Sequence, residues 1–254
     1  MKPIFCVLNH YRPKIDNEKE IDIGHGRGMA KGRADGRNML KNFLDSLSES
    51  ANFEYDVVIV DNASSNLVDE KYIDIPLKYN YIYNDDDTFG VTRGWNLCAN
   101  FAYLNGNDFI FVCNDDLTFN ATINNFWIDV NEEFEKKANL KLEDILFGVT
   151  THVGPKHHNH QFHKMGVVYD VTNDHPVGGG LHGWFYGFHR DYYKKYNIDG
   201  KLFDVEDSNP WQGNERFQID HRKRGGKQYI IGSVQVEHGF SGGWRHRREI
   251  CEAK

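Results

Sequence analysis

Short apolar runs that stop abruptly at polar residues punctuate the first half of the chain. IFCVL (4–8) runs into Asn9-His10-Tyr11, YDVVIV (55–60) into Asp61-Asn62, and DFIFVC (108–113) into Asn114-Asp115-Asp116. Unbroken β-branched and aromatic runs of this length predict strands buried on both faces, as in a mostly parallel sheet. Between them the period changes to that of a helix. NMLKNFLDSLSES (38–50) sets Leu40, Phe43, Leu44 and Leu47 on one face, and GWNLCANFAYL (94–104) does the same with Trp95, Cys98, Ala99, Ala102 and Tyr103. Strand, helix, strand, irregular link, helix, strand is the order of a doubly wound α/β sheet. Such sheets bind ligands beyond the carboxyl ends of their strands. Asp61, Asp115 and Asp116 face that crevice, and Asn9 ends the first strand on the same edge.

The second half is patterned more weakly. Residues 124–139 and 214–224 predict helices, as does 190–196, while ILFGVTT (145–151) and QYIIGSVQV (228–236) predict strands. Residues 12–37, with five glycines and no periodicity, predict a long loop. Its basic residues Arg27, Lys31, Arg33 and Arg37 would suit phosphates, or would simply solvate a surface insertion. No Pro/Ser linker or internal repeat divides the chain, so one domain is expected.

Composition narrows the class. The 254 residues are 39% apolar and 26% charged, enough for one sizeable core. Mean hydropathy is −0.65, and no apolar run approaches the roughly 18 to 20 residues of a membrane helix. The first apolar run is too short for a signal-peptide core, so a cytoplasmic protein is expected. Four cysteines without a CxxC pair argue against structural zinc and against a disulfide framework. A net charge of −7, from 37 acidic and 30 basic residues, argues against a general nucleic-acid binder. It leaves carboxylates as the candidates for chemistry.

Asn114-Asp115-Asp116 is the strongest local feature. Adjacent carboxylates at the end of a buried strand repel each other unless a cation or donors compensate. Mg²⁺ or Mn²⁺ would do so, typically with substrate phosphates completing the shell. A turn stabilised by Asn and Asp is the competing reading of an isolated triplet.

The triplet is not isolated. VIVDNASS (58–65), FGVTRGWN (89–96) and DFIFVCNDD (108–116) follow one another as in the family 2 glycosyltransferases, which this chain resembles over most of its length. PWQGNERFQIDHRKRGGK (210–227) is similar to that family's acidic segment, and VQVEHGFSGG (234–243) to its strand and metal-site histidine. The resemblance implies a GT-A fold, a Rossmann-like doubly wound mixed sheet. It implies residues 1–120 as a nucleotide-sugar-binding half and 121–254 as an acceptor and catalytic-base half of the same domain. It further implies a nucleotide site at Asn9, Asp61, Arg93, Asn96 and Asp115. Mn²⁺ or Mg²⁺ would sit on Asp116 and His238, and Glu215 would be the base, with Asp220 second and Glu206 and Asp207 behind. Where the family shows paired acids and an arginine, this chain has Asn214-Glu215 and His221 or Arg222.

The function so implied is transfer of a sugar from a UDP, GDP or dTDP type donor to a glycan, protein or small-molecule hydroxyl, with inversion. Arginine and metal stabilise the leaving diphosphate while one carboxylate takes the acceptor's proton. Trp184 and Tyr186, after Gly178-Gly179-Gly180, would offer flat faces to sugar rings, or else pack a glycine-kinked strand into the core. The cluster His157, His158, His160 and His163 has no familiar zinc spacing. Two other functions compete. A sugar-phosphate nucleotidyltransferase would want a glycine-rich, lysine-containing loop after the first strand, and NHYRPK is not one. A non-catalytic nucleotide- or carbohydrate-binding protein would lack the intact Asp116 and Glu215.

Overall fold

The computed structural model describes residues 2–9, 36–62, 79–84, 90–136, 140–151, 168–173, 180–181, 183–203 and 210–238, leaving aside the side chains of 36–39, 90, 131, 135 and 210–215. The basic loop residues Arg27, Lys31 and Arg33, the Arg37 side chain, the histidine cluster near 160, Gly178-Gly179, Glu206 and Asp207 lie outside the described residues.

The three apolar runs form β1 (Pro3–Asn9), β2 (Asp56–Asn62) and β4 (Phe109–Asn114), with β3 (Tyr79–Asn84) beyond them. These four are parallel, in the order β3-β2-β1-β4. The remaining strands are the two-residue β5 (Leu117–Thr118), then β6 (Ile145–Thr150), β7 (Val168–Asp170), β8 (Phe185–His189), β9 (Lys227–Gln235) and the two-residue β10 (Glu237–His238). The main sheet continues β4-β8-β6-β9-β7, giving eight strands in which β8 and β7 run antiparallel to their neighbours. Both halves of the chain therefore share one sheet.

Each strand divides its side chains between two layers because successive residues face opposite sides. Phe5, Val7, Val57, Ile59, Phe109 and Phe111 meet α1 (Gly36–Ser50) and α3 (Asn125–Lys136), with Leu40, Phe43, Leu44 and Leu47 of α1 buried as their spacing predicts. Ile4, Cys6, Leu8, Val58, Val60, Ile110 and Val112 meet α2 (Gly90–Leu104), α4 (Arg190–Tyr196) and α5 (Pro210–Lys223). α2 sits close on β1: a Cβ at Gly94 would lie 2.2 Å from Leu8 Cδ1. Among the described residues no helix is long and apolar enough to cross a membrane.

Three strands of the main sheet escape the sequence pattern. β3 (YNYIYN) is an edge strand in which Tyr79, Tyr81 and Tyr83 alternate with Asn80, Ile82 and Asn84, so no apolar run marks it in the sequence. β7 is only three residues long. FYGFH of β8 is a buried strand, so the glycine-aromatic stretch resolves in favour of core packing. A Cβ at Gly187 would lie 2.0 Å from Phe147 Cε2, so glycine is what lets β8 lie against that ring.

Candidate functional site

The carboxyl ends of the parallel strands gather most of the expected residues. Asn9 and Asp61 are register partners on β1 and β2, and both are fully buried. Tyr81, which the sequence reading passed over, donates its hydroxyl to Asp61 Oδ2 at 2.6 Å. This contact anchors the carboxylate. Both polar atoms of the Asn9 amide are buried and find no hydrogen-bond partner among the described residues. A buried amide left in that state is costly, by about 1 to 3 kcal/mol, and is suited to a ligand carrying one donor and one acceptor. Asn62 and Asn84 pair alongside through a 2.7 Å hydrogen bond from Asn84 Nδ2.

Asp115 and Asp116 leave β4 at the same edge and are 5% and 8% exposed. His238 reaches Asp116 from the far end of the sequence. β9 rises to the carboxyl edge, and β10 pairs antiparallel with β5, setting His238 opposite Leu117. His238 Nε2 then lies 3.5 Å from Asp116 Oδ1. Burial pushes the imidazole below its ordinary pKa, and the Asp116 charge opposes that shift. The ring is thus available as a neutral nitrogen donor at neutral pH.

The donor set fits a divalent cation. Bonds of about 2.1 Å to one ion permit two donors up to about 4.2 Å apart, and the pair lies inside that span. A carboxylate beside an imidazole is a donor set that first-row divalent ions accept. Among the described residues no group of three or more His, Cys, Asp or Glu could hold a metal.

Arg93 lies half-buried in the first turn of α2. Asn96 is consumed by the backbone of the segment before α5: its Oδ1 accepts from Leu202 N at 2.8 Å and Phe203 N at 2.9 Å, and its Nδ2 donates to Phe203 O at 2.8 Å. It holds that segment against α2 and has little left for a nucleotide. Tyr186 is fully enclosed by Trp95, Phe203 and Phe217, and its hydroxyl accepts from Gln218 Nε2 at 2.9 Å. Trp184 is 2% exposed, and its ring stacks on His238 with centroids 5.0 Å apart and planes 20° off parallel. Neither ring offers a free face to a sugar: Tyr186 lies on the interior strand β8, and Trp184, in the turn before it, is buried against His238.

The acidic segment forms α5, which descends to the amino edge where Lys227 starts β9 beside Ile145. The backbone of Glu215 is in the upper part of this helix, and its side chain lies outside the described residues. Asp220 is in the last turns, exposed, with Lys223 Nζ 3.6 Å away. It borders a cavity of about 390 Å³ that also contacts Tyr196, Phe203, Phe217, His221 and Arg224, and neither Asp116 nor His238 lines it. Of the two residues near the family's arginine position, His221 points inward and Arg222 donates to Thr172 O at 3.1 Å.

The chain's fold has solved counterparts. S. aureus TarS 1–349 in complex with UDP is 13% identical, with a TM-score of 0.59 over 92% of this chain and 60% of that one. GalNAc-T7 with UDP, GalNAc and Mn²⁺ is 11% identical, with a TM-score of 0.60 over 94% and 44%. TarS 1–349 with UDP-GlcNAc is 12% identical, at 0.55 over 94% and 59%. The mixed α/β sheet is that of the GT-A glycosyltransferases, and at these identities the likeness is one of fold. The chain spans 60% or less of the length of these counterparts. No family profile matches the chain, and no curated protein does.

Proposed function

We propose that the chain is a metal-dependent glycosyltransferase that moves a sugar from a nucleoside diphosphate to a hydroxyl acceptor with inversion. The observation that carries this reading is the buried Asp116–His238 pair, 3.5 Å apart at the carboxyl edge of a GT-A sheet. UDP in TarS, and UDP with Mn²⁺ in GalNAc-T7, support it. Cytoplasmic location and a division of the domain into donor and acceptor halves belong to the same proposal.

Asn9 and Asp61 would bind the nucleoside. The unpaired Asn9 amide offers a donor and an acceptor to a base edge, and Asp61, held by Tyr81, accepts from a base N–H or a ribose hydroxyl. Asp115 would contact ribose, and Arg93 would neutralise the diphosphate. Asp116 and His238 would hold Mn²⁺ or Mg²⁺, which when bound supplies positive charge against the leaving diphosphate. Asn96 acts at one remove, by fixing residues 202–203. In the transfer, the acceptor oxygen bonds to the sugar's anomeric carbon as the bond to diphosphate breaks, and the acceptor's proton goes to a carboxylate. Glu215 is better placed than Asp220, since five helical residues put it about 7 Å nearer the carboxyl edge.

Thermal unfolding with UDP, GDP or dTDP, with and without Mn²⁺, tests the reading. At one hundred times its dissociation constant a ligand adds about 2.7 kcal/mol, or roughly 5 to 10 °C for a domain of this size. Asp116→Asn is expected to lose the Mn²⁺-dependent part of the shift, and Glu215→Gln to keep it while losing transfer. A native protein that none of these nucleotides stabilises would refute the donor site.

A further inference from the structure

The indole face that no sugar can reach is occupied by the imidazole of His238. Trp184 and His238 stack at 5.0 Å and 20°, and both are at least nine-tenths buried. The same tryptophan is tied to the other half of the pair, because its carbonyl accepts from Asn114 N at 3.0 Å, one residue before Asp115-Asp116. Trp184 thus touches both segments that carry the proposed metal donors, which are more than one hundred residues apart in sequence.

We propose that Trp184 is the positioning residue of the metal pair: its ring fixes the plane of the His238 imidazole so that Nε2 faces Asp116, and its carbonyl fixes the strand end that carries Asp116. This rests on the metal-binding reading above. The backbone alone cannot do this. The β10–β5 pairing spans two residues on each strand and sets only where the His238 Cα lies. Rotation of an imidazole about its terminal torsion is broad and roughly two-fold, so the ring plane needs a neighbour to define it. A flat, rigid indole parallel to the imidazole supplies that constraint while excluding water from one face. Groups that orient metal ligands from behind typically change metal affinity by about 10- to 100-fold when removed.

The experiment is Mn²⁺ binding in the presence of saturating UDP, followed by loss of the free-ion electron paramagnetic resonance signal, for the native chain, His238→Ala, Trp184→Met and Trp184→Phe. Trp184→Met keeps apolar bulk but not the plane, and is expected to weaken Mn²⁺ binding about 10- to 100-fold. Trp184→Phe keeps a plane and should restore most of it. UDP affinity without metal should be the same in all four, which a general loss of structure would not leave unchanged. Native-like Mn²⁺ affinity in Trp184→Met, with His238→Ala weakened, would overturn the positioning role and leave the metal site standing. Failure of the native chain to bind Mn²⁺ with UDP would overturn both. A readout without any variant guards against Trp184→Met not folding: the His238 ring protons should resonate upfield of exposed imidazole because of the indole ring current. Unshifted protons there would refute the stack itself.

Discussion

Lowering the pH should destabilise this fold in part through His221. It is 2% exposed, wedged between Tyr192 and Tyr196 with centroids 5.1 and 4.9 Å away, and pressed so closely on Gly226 that a Cβ there would lie 2.0 Å from Cε1. Its Nε2–H donates to Lys227 O at 3.1 Å, and Tyr192 donates its hydroxyl to Nδ1 at 2.9 Å. A carbonyl can only accept, which fixes the tautomer, so the neutral ring is fully paired. Burial, partly offset by the Lys227 carbonyl, pushes its pKa down from 6.5 to about 4. Above pH 6.5 neither the folded nor the unfolded chain carries the proton, and this residue gives no pH dependence. Between 6.5 and 4 the unfolded chain takes up a proton that the folded chain refuses, so stability falls as the pH falls. The full difference is about 3 kcal/mol, and the slope near pH 5 is about 1.2 kcal/mol per unit. Below about pH 4 the folded chain binds the proton too, and the contribution levels off. The assay is urea unfolding of native and His221→Gln from pH 7.5 to 4.0, with the two stabilities subtracted at each pH so that shared carboxylate effects cancel. Glutamine keeps hydrogen-bonding groups but cannot titrate, so the native advantage should shrink by about 3 kcal/mol across the range. A difference independent of pH would refute the argument.

Asn96→Ala removes three hydrogen bonds to residues 202–203 and should cost about 1 to 3 kcal/mol, with faster amide exchange at Leu202 and Phe203. Gly187→Ala forces a methyl into the Phe147 ring at 2.0 Å and should lower stability by about 1 to 3 kcal/mol, read as a lower urea midpoint with an unchanged slope.

The sheet's parallel core was legible because β1, β2 and β4 are buried on both faces, which requires unbroken apolar runs, and because α1 and α2 repeat apolar residues at helical spacing. β3 and β8 were harder to read. An edge strand carries polar residues, and a strand packed through glycine against a phenylalanine ring looks in sequence like a loop. At the site, the local signal of Asp115-Asp116 at a strand end survived into the structure, as did Asn9 and Asp61 on their strands.

The sequence by itself determined the strands β1, β2, β4, β6 and β9, the helices α1 and α2 and the edge where polar residues collect, since these depend on local periodicity and on where apolar runs stop. Only the tertiary structure decided partners. It brought His238 to Asp116 across more than one hundred residues, gave Trp184 an imidazole for its flat face, anchored Asp61 with Tyr81 and turned His221 inward. Such pairings depend on how strands distant in sequence align and on which polar groups burial leaves to satisfy one another. One-dimensional spacing carries no measure of either.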